Sequence, residues 1–551
     1  MSTALQPFLI SEFKTGINTY LQPWIRPNDA FEPLTNAYIY RGVVNKRAGY
    51  SVFGTLPDGN PVMGIMRYIN ETTGQPSLVV ASTVNLYLYD TGSGLFNLVG
   101  TPPTFTGNIT NFFNWTNWQA SSGATSYLYL TNNKDNVTTF DGVNAGSLVP
   151  VIDGSGQTIN TALDVIVYKQ RLLMLRPVLS ADGVQNQAIY WSAIQNPSLW
   201  RVDIAGQGGF LDAPTGDIIQ CAEFVRDVLV VYFSNSTWIF RFTGIDSAPF
   251  RWDKVNNTKT TNAPYGSVAY DERCTAVGNT GLIACDAVNV QRYDIPIIDY
   301  YETNFSEQYY SQTFSQRYDN LNQAWTLYVS NSRDPTNFPL VGTIAPGSDS
   351  ALVYNYLENT WATYTWSVPM TCMGLFYNQS AATWSSLHFS PEDEWENTDK
   401  AWNSFSGQKG APILLMGDTS GNVYWVDNEQ EVTDNGTTIV PDIVTTRWNP
   451  IMNLGQKVQF PYIDIYYYIA SVDPANPVSV TLNFYVDNSD NIASSQTLTL
   501  DGPKNSEYAF KRIYINLIGE FIQMEIDPNI DSLLQFIGFI LWARPAGRLT
   551  P

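Results

Sequence analysis

Histidine is almost missing from this chain. Among 551 residues there is one, His388. That excludes metal sites built on several imidazoles and leaves a Ser–His–Asp mechanism a single candidate base. His388 lies in Ser385-Ser386-Leu387-His388-Phe389, an alternating stretch that reads as a strand, so a structural histidine is expected. Cysteine is scarce too. Cys221, Cys274, Cys285 and Cys372 are spaced 53, 11 and 87 residues apart, which fits neither a zinc pattern nor a disulfide framework. Reduced, buried thiols are expected, as after assembly in a cytoplasm. Positive charge is short: 29 Lys and Arg face 50 Asp and Glu, a net charge of −21. A surface that grips nucleic acid needs clustered cations. Long apolar runs are absent as well. Residues 533–543 form the longest, far short of a membrane span, and the first residues show no basic stretch followed by an apolar core, so no signal peptide is read.

What the chain has is aromatic and apolar residues, at 14% and 44%, with Asn, Thr, Ser and Gly as its polar surface. That composition suits pleated sheets and excludes disorder. Helix periodicity is nearly absent, and strand patterns recur throughout, as in Tyr127-Leu128-Tyr129-Leu130. Turn clusters such as Asp90-Thr91-Gly92-Ser93-Gly94 and Asp418-Thr419-Ser420-Gly421-Asn422 separate them.

One strand type repeats: an apolar residue, then alternating aromatics, often closing on Asp. Copies begin at Leu86, Val137, Ile189, Trp238, Val290, Val353 and Val423, at intervals of 51, 52, 49, 52, 63 and 70. A period near 50 in an all-β chain predicts a β-propeller with four strands per blade, here of six to eight blades. The acidic stretch Ser390-Pro391-Glu392-Asp393-Glu394-Trp395-Glu396 reads as a surface insertion in the last interval. The repeat stops near residue 435. Beyond it, five or more strands at hairpin spacing predict a C-terminal β-sandwich. Residues 1–55 lack the repeat, and Pro23, Pro27 and Pro33 predict an extended N-terminal arm for docking. The expected division is 1–55 arm, 56–435 propeller and 436–551 sandwich.

Chemistry is hard to find in this text. Gly154-Ser155-Gly156 and Gly206-Gln207-Gly208-Gly209 lack the Gly-Lys-Ser/Thr of a phosphate loop and read as turns. Glu392, Asp393 and Glu394 are the densest acids, a pattern typical of a solvated loop. Asp487-Asn488-Ser489-Asp490-Asn491 has calcium-ligand residue types but no distal Glu, so a turn is expected there too. The expectation is a protein that is not an enzyme, with no catalytic, cofactor-binding or metal residue.

Several motifs occur in a fixed order. Leu34-Thr35-Asn36-Ala37-Tyr38 precedes Gly42-Val43-Val44-Asn45-Lys46-Arg47-Ala48-Gly49. Then come Tyr190-Trp191-Ser192 with Asn196-Pro197 and Trp200, followed by Leu229-Val230-Val231 with Ser236-Thr237-Trp238. Over residues 25–295 this order resembles the tail nozzle proteins (tail tubular protein B-like, packaged-DNA stabilisation proteins) of short-tailed bacteriophages. The resemblance implies a virion protein, assembled in the host cytoplasm. It implies a homo-oligomeric ring of six copies below portal and adaptor proteins, extending a channel through which double-stranded DNA passes without specific binding. The alternative is a receptor- or glycan-binding propeller at a tail tip.

Overall fold

The computed structural model describes residues 4–548 apart from 71–73, 102, 334–335, 337–346, 378–411, 429–430, 452–454, 470–477, 501–507 and 528–531. His388 and the acidic 390–396 stretch lie outside the described residues.

Turn chemistry cuts the chain into short antiparallel strands. Asp90 accepts the Gly92 amide at 2.9 Å on Oδ1, and Gly94 takes φ +72°. Asp418 accepts the amides of Ser420 and Asn422 at 2.8 and 2.7 Å. Each is an Asx-type turn followed by a left-handed residue.

The strands between such turns form seven four-stranded blades. Blade 1 holds Val62–Asn70, Gln75–Ser82, Leu86–Asp90 and Leu95–Leu98, and blade 2 holds Asn114–Trp118, Tyr127–Thr131, Val137–Phe140 and Ala145–Leu148. Blade 3 holds Asp164–Tyr168, Arg171–Leu175, Ala188–Trp191 and Gly209–Asp212; blade 4 holds Ile219–Val225, Val228–Phe233, Thr237–Phe242 and Phe250–Asn256. Blade 5 holds Ser267–Tyr270, Arg273–Gly278, Gly281–Cys285 and Val290–Arg292. Blade 6 starts with Phe314–Tyr318, Gln323–Tyr328 and Ser348–Asn355, and takes its outer strand from the first part of Thr360–Tyr377. The second part of that same strand opens blade 7, followed by Pro412–Asp418 and Asn422–Asn428. The fourth strand of blade 7 is Gly49–Thr55, from the other end of the chain. Pairing distant segments in one blade closes the ring and removes an exposed edge.

The repeated strand type marks the third strand of blades 1, 2, 3, 4, 6 and 7. In blade 5 it falls on the outer strand Val290–Arg292, while Gly281–Cys285 takes the third position. Gly281–Cys285 is a continuous buried apolar run without an aromatic, so the aromatic pattern passes over it. Between blades the aromatics pack together: Trp191 meets Phe250 edge to face at 5.0 Å and Phe240 in a tilted arrangement at 6.3 Å. These rings are the core between blades 3 and 4.

The ends of the chain build a second body. Gln6–Ser11, Ala37–Tyr40, Val43–Lys46, Gln456–Ile469, Ala509–Gly519 and Leu534–Arg548 form a six-stranded sheet. Asp442–Thr445, Ile522–Asp527, Val478–Val486 and Ser494–Leu500 line up as the facing sheet. Ile463, Ile465, Ile513, Phe539 and Leu541 from the first share one core with Leu482, Phe484, Met524 and Ile526 from the second. This is the C-terminal β-sandwich. The extended N-terminal arm docks on the chain itself: Gln6–Ser11 lies against Leu534–Arg548, and Ala30–Thr35 bridges Asp442–Thr445 and Thr360–Tyr377.

The Lys46-Arg47-Ala48-Gly49 run locks this junction. Arg47 is buried, donates Nη1 and Nη2 to Asp434 at 2.7 and 2.5 Å, and donates Nε to Asn36 at 2.9 Å. Its guanidinium carbon lies 4.9 Å from the Trp366 ring centre. Asn36 in turn donates Nδ2 to the Thr365 hydroxyl at 2.9 Å. Gly49 is there for space: a Cβ would lie 2.0 Å from the Thr433 carbonyl oxygen. The motif that carries the family resemblance is a structural lock between the first strands, blade 6 and blade 7.

Candidate functional site

The inner strands of blades 2 to 6 surround a cavity of about 330 Å³ on the propeller axis. At about 30 Å³ per molecule that holds roughly 11 waters. The far side is shut by close packing of blade 7 on blade 1, where a Cβ on Gly374 would lie 2.4 Å from the Ile65 carbonyl oxygen.

Inner strands present mainly polar residues to this axis, one to three per blade. Asn114, Trp115 and Thr116 come from blade 2, Asp164 from blade 3, Cys221 and Glu223 from blade 4, Ser267 from blade 5 and Gln316 from blade 6. Two carboxyls dominate. Asp164 opens its strand, is buried, and accepts the Val165 amide at 2.7 Å. Burial pushes its carboxyl up to about 7. Glu223 accepts a hydrogen bond from the Ser267 hydroxyl at 3.3 Å. Burial within the ring of blades, and then the Asp164 charge, push it up to about 7 as well. Its side chain lines the axial cavity and is half-buried. Burial also raises the Tyr265 hydroxyl and the Cys221 thiol beside them.

Two carboxyls raised toward neutrality at one cavity are candidates for acid and base roles. Trp115, 37% exposed, adds an aromatic face at the same cavity. Among the described residues no group of three His, Cys, Asp or Glu is placed to hold a metal ion.

The sequence did not point to this pair. Asp164 and Glu223 lie 59 positions apart in unremarkable strands, and only the circular arrangement of blades brings them to one axis. The Asp487–Asn491 stretch forms a turn: Asp487 Oδ1 accepts the Glu520 and Phe521 amides at 2.5 and 3.2 Å. Asp153 accepts the amides of Ser155 and Gln157, both at 3.0 Å, so Gly154-Ser155-Gly156 is a turn as expected. All four cysteines are buried free thiols. No described helix is long and apolar enough to cross a membrane.

The second notable surface is the outer face of the six-stranded sheet. Inward residues of Ala509–Gly519 are buried, while Phe510, Tyr514 and Ile518 are 57%, 64% and 55% exposed. Their cross-strand neighbours continue the face: Tyr514 meets Tyr462 at 5.8 Å, Tyr462 meets Trp542 at 5.6 Å, and Tyr466 stacks on Phe510 at 5.6 Å. Leu9, 63% exposed, lies beside Ile540. Arg512 donates Nε and Nη2 to Asp464 at 2.7 and 2.9 Å, with its guanidinium carbon 4.2 Å from the Tyr462 ring centre.

No known protein family matches the chain, and no curated protein matches it. Solved structures do resemble it. One is a dihydro-heme d1 dehydrogenase, NirN, at 9% identity and a TM-score of 0.32, covering 58% of this chain and 57% of that one; the chain thus spans little more than half of that enzyme. Another is a glycoside hydrolase family 43 arabinoxylan arabinofuranohydrolase from Bacillus subtilis, at 7% identity and a TM-score of 0.23, covering 98% and 96%. A third is the extracellular domain of a hybrid two-component system from B. thetaiotaomicron, at 10% identity and a TM-score of 0.25, covering 58% and 47%. The expectation that the chain is not an enzyme is corrected at this point. The axial cavity is lined by two carboxyls, Asp164 and Glu223, both pushed up to about 7, which nothing in the sequence leads one to expect.

Proposed function

We propose that the chain is a structural subunit of a bacteriophage tail ring, which extends the DNA channel and retains the genome until ejection. The observation that carries this reading is the aromatic outer face of the terminal sheet. Contiguous exposed Phe, Tyr, Leu and Ile of this kind mark a surface that another protein covers. The ordered motifs over residues 25–295 supply the virion context, with portal and adaptor proteins as neighbours and six copies per ring. The DNA conduit in this reading is the axis of the ring of subunits, because a propeller cavity of about 330 Å³ accommodates no duplex. The net charge of −21 keeps such a conduit from adhering to phosphate. The test is cryo-electron microscopy of a virion carrying a tagged copy. A ring of tagged subunits around the tail axis is the expected result; a peripheral location, or no incorporation, sinks the proposal.

A second reading is favoured by Asp164, Glu223 and Trp115 together: a saccharide bound at the axial cavity, stacked on Trp115 and acted on by the carboxyl pair. Either one carboxyl protonates a leaving oxygen while the other assists attack, or the pair only holds sugar hydroxyls. Incubation with oligosaccharide mixtures separates these. Product formation that is lost in both Glu223→Gln and Asp164→Asn supports catalysis, and binding without turnover supports a lectin-like role.

A further inference from the structure

The two outer faces of the terminal sandwich carry opposite charge. On the outer side of the aromatic sheet stand Lys457, Arg512 and Arg544 against one acid, Asp464, which Arg512 pairs, while Lys46 is buried and Lys511 has an inward register position. In a chain of 50 acids and 29 bases this is a reversal. The facing sheet has the opposite balance. Its four strands contain Asp442, Glu525 and Asp527 and no Lys or Arg.

Register places all three acids on the outer side of that sheet. Ile443 pairs with Ile526 and Val444 with Glu525, so Asp442 stands beside Asp527. Ile443, Met524 and Ile526 are buried in the core, which turns the acids outward. Among the described residues no ion pair offsets them. Burial and then the charges of Glu525 and Asp527 raise Asp442, burial and then Glu525 raise Asp527, and the Asp527 Oδ1 atom is buried without a hydrogen-bond partner. Like charges gathered with no counter-charge weaken a lone chain, and they are relieved when a positive surface covers them.

We propose that the aromatic, basic sheet of one chain docks on the acidic sheet of a second copy of the same chain, head to tail. The inference rests on the ring reading and names the surfaces that build it. The pairing is heterologous: each copy offers one face of each kind, and the faces lie on opposite sides of one sandwich. Repetition of such a contact gives a ring if the rotation closes. Phe510, Tyr514 and Ile518 supply the apolar anchor. Lys457 and Arg544 meet Asp442, Glu525 and Asp527, which sets orientation and registers as salt dependence.

Sedimentation velocity and native mass spectrometry on the full-length protein test this with two double variants. Phe510→Ser with Tyr514→Ser strips the aromatic face. Asp442→Lys with Asp527→Lys reverses the acidic face, and Asp442→Asn with Asp527→Asn is the milder companion should the reversal fail to fold. The wild type is expected to form oligomers that weaken with salt. Each double variant alone is expected to weaken association on the order of a hundredfold or more, with an unchanged circular dichroism spectrum. An equimolar mixture of the aromatic-face and acidic-face variants should recover heterodimers and nothing larger, because each retains one intact face. Full assembly of the acidic-face variants overturns the proposal, since the aromatic face then packs on something else. Equal assembly of all variants also overturns it while leaving the ring reading standing. A wild type that stays monomeric at high concentration and is absent from virions removes both. Capture of a 20-base-pair duplex by the wild type, lost in the aromatic-face variant, would assign this face to nucleic acid and overturn docking between copies.

Discussion

Asp164→Asn should stabilise the protein, and increasingly so as pH rises from about 4 to about 7. Asp164 is buried on the propeller axis, with its carboxyl raised from 3.8 to about 7. Its folded pKa lies above the unfolded one, so the native state holds this proton more tightly than the unfolded chain. The contribution is therefore fully present below about pH 4 and is lost as pH rises to about 7. Above pH 7 the native state bears a buried charge. At about 1.4 kcal/mol per tenfold change in affinity for the proton, this penalty reaches about 4 kcal/mol as an upper bound. Asparagine keeps the shape and can still accept the Val165 amide through its carbonyl oxygen, but it carries no charge. Urea unfolding followed by tryptophan fluorescence at pH 4.5 and pH 8 measures the difference. The expected outcome is a gain of about 2–4 kcal/mol for the variant at pH 8 and no more than about 1 kcal/mol at pH 4.5. Equal effects at the two pH values would refute the assignment of a protonated, poorly hydrated carboxyl to the axis. A loss of stability at pH 8 would show instead that the charged form is held by interactions this account omits.

Arg47→Leu should destabilise by about 3–5 kcal/mol, because it strands the buried Asp434 carboxylate; equilibrium unfolding and faster proteolysis near blade 7 would register it. Gly49→Ala should be comparably damaging, since a Cβ 2.0 Å from the Thr433 carbonyl oxygen forces the closing strand out of place, and the yield of folded protein reports it. All four thiols are buried, so a thiol reagent should label none in native protein and four after denaturation; rapid native labelling would contradict the blade assignments of Cys221, Cys274, Cys285 and Cys372.

Much of the architecture is legible in the residues. Alternation of apolar and polar side chains is a local property, and it determines strand and face directly, as in Ile522–Asp527. Asx turns before glycine are equally local and punctuate the blades. The 50-residue period gave a propeller because each blade is one such unit repeated, and seven copies of the aromatic strand matched seven blades. Local pattern could not decide which chain segment closes the ring. Gly49–Thr55 pairs with Asn422–Asn428 across more than 360 positions, and nothing in its seven residues announces that partner. The same holds for the arm, whose prolines declare it extended while its docking site on Leu534–Arg548 comes from tertiary packing.

Sequence alone determined that this chain is built of sheets, that it carries no imidazole cluster, and that its positive charge is scarce. It could do so because composition and short-range periodicity need no knowledge of distant contacts. Tertiary structure alone decided where charge gathers. Asp164 and Glu223 meet because blades 3 and 4 converge on an axis, where loss of hydration moves their pKa values. The acids Asp442, Glu525 and Asp527 share a face because strands some 80 residues apart pair in register. Charge count is a sum over residues, whereas electrostatic effect depends on distance and burial, and only the fold supplies those.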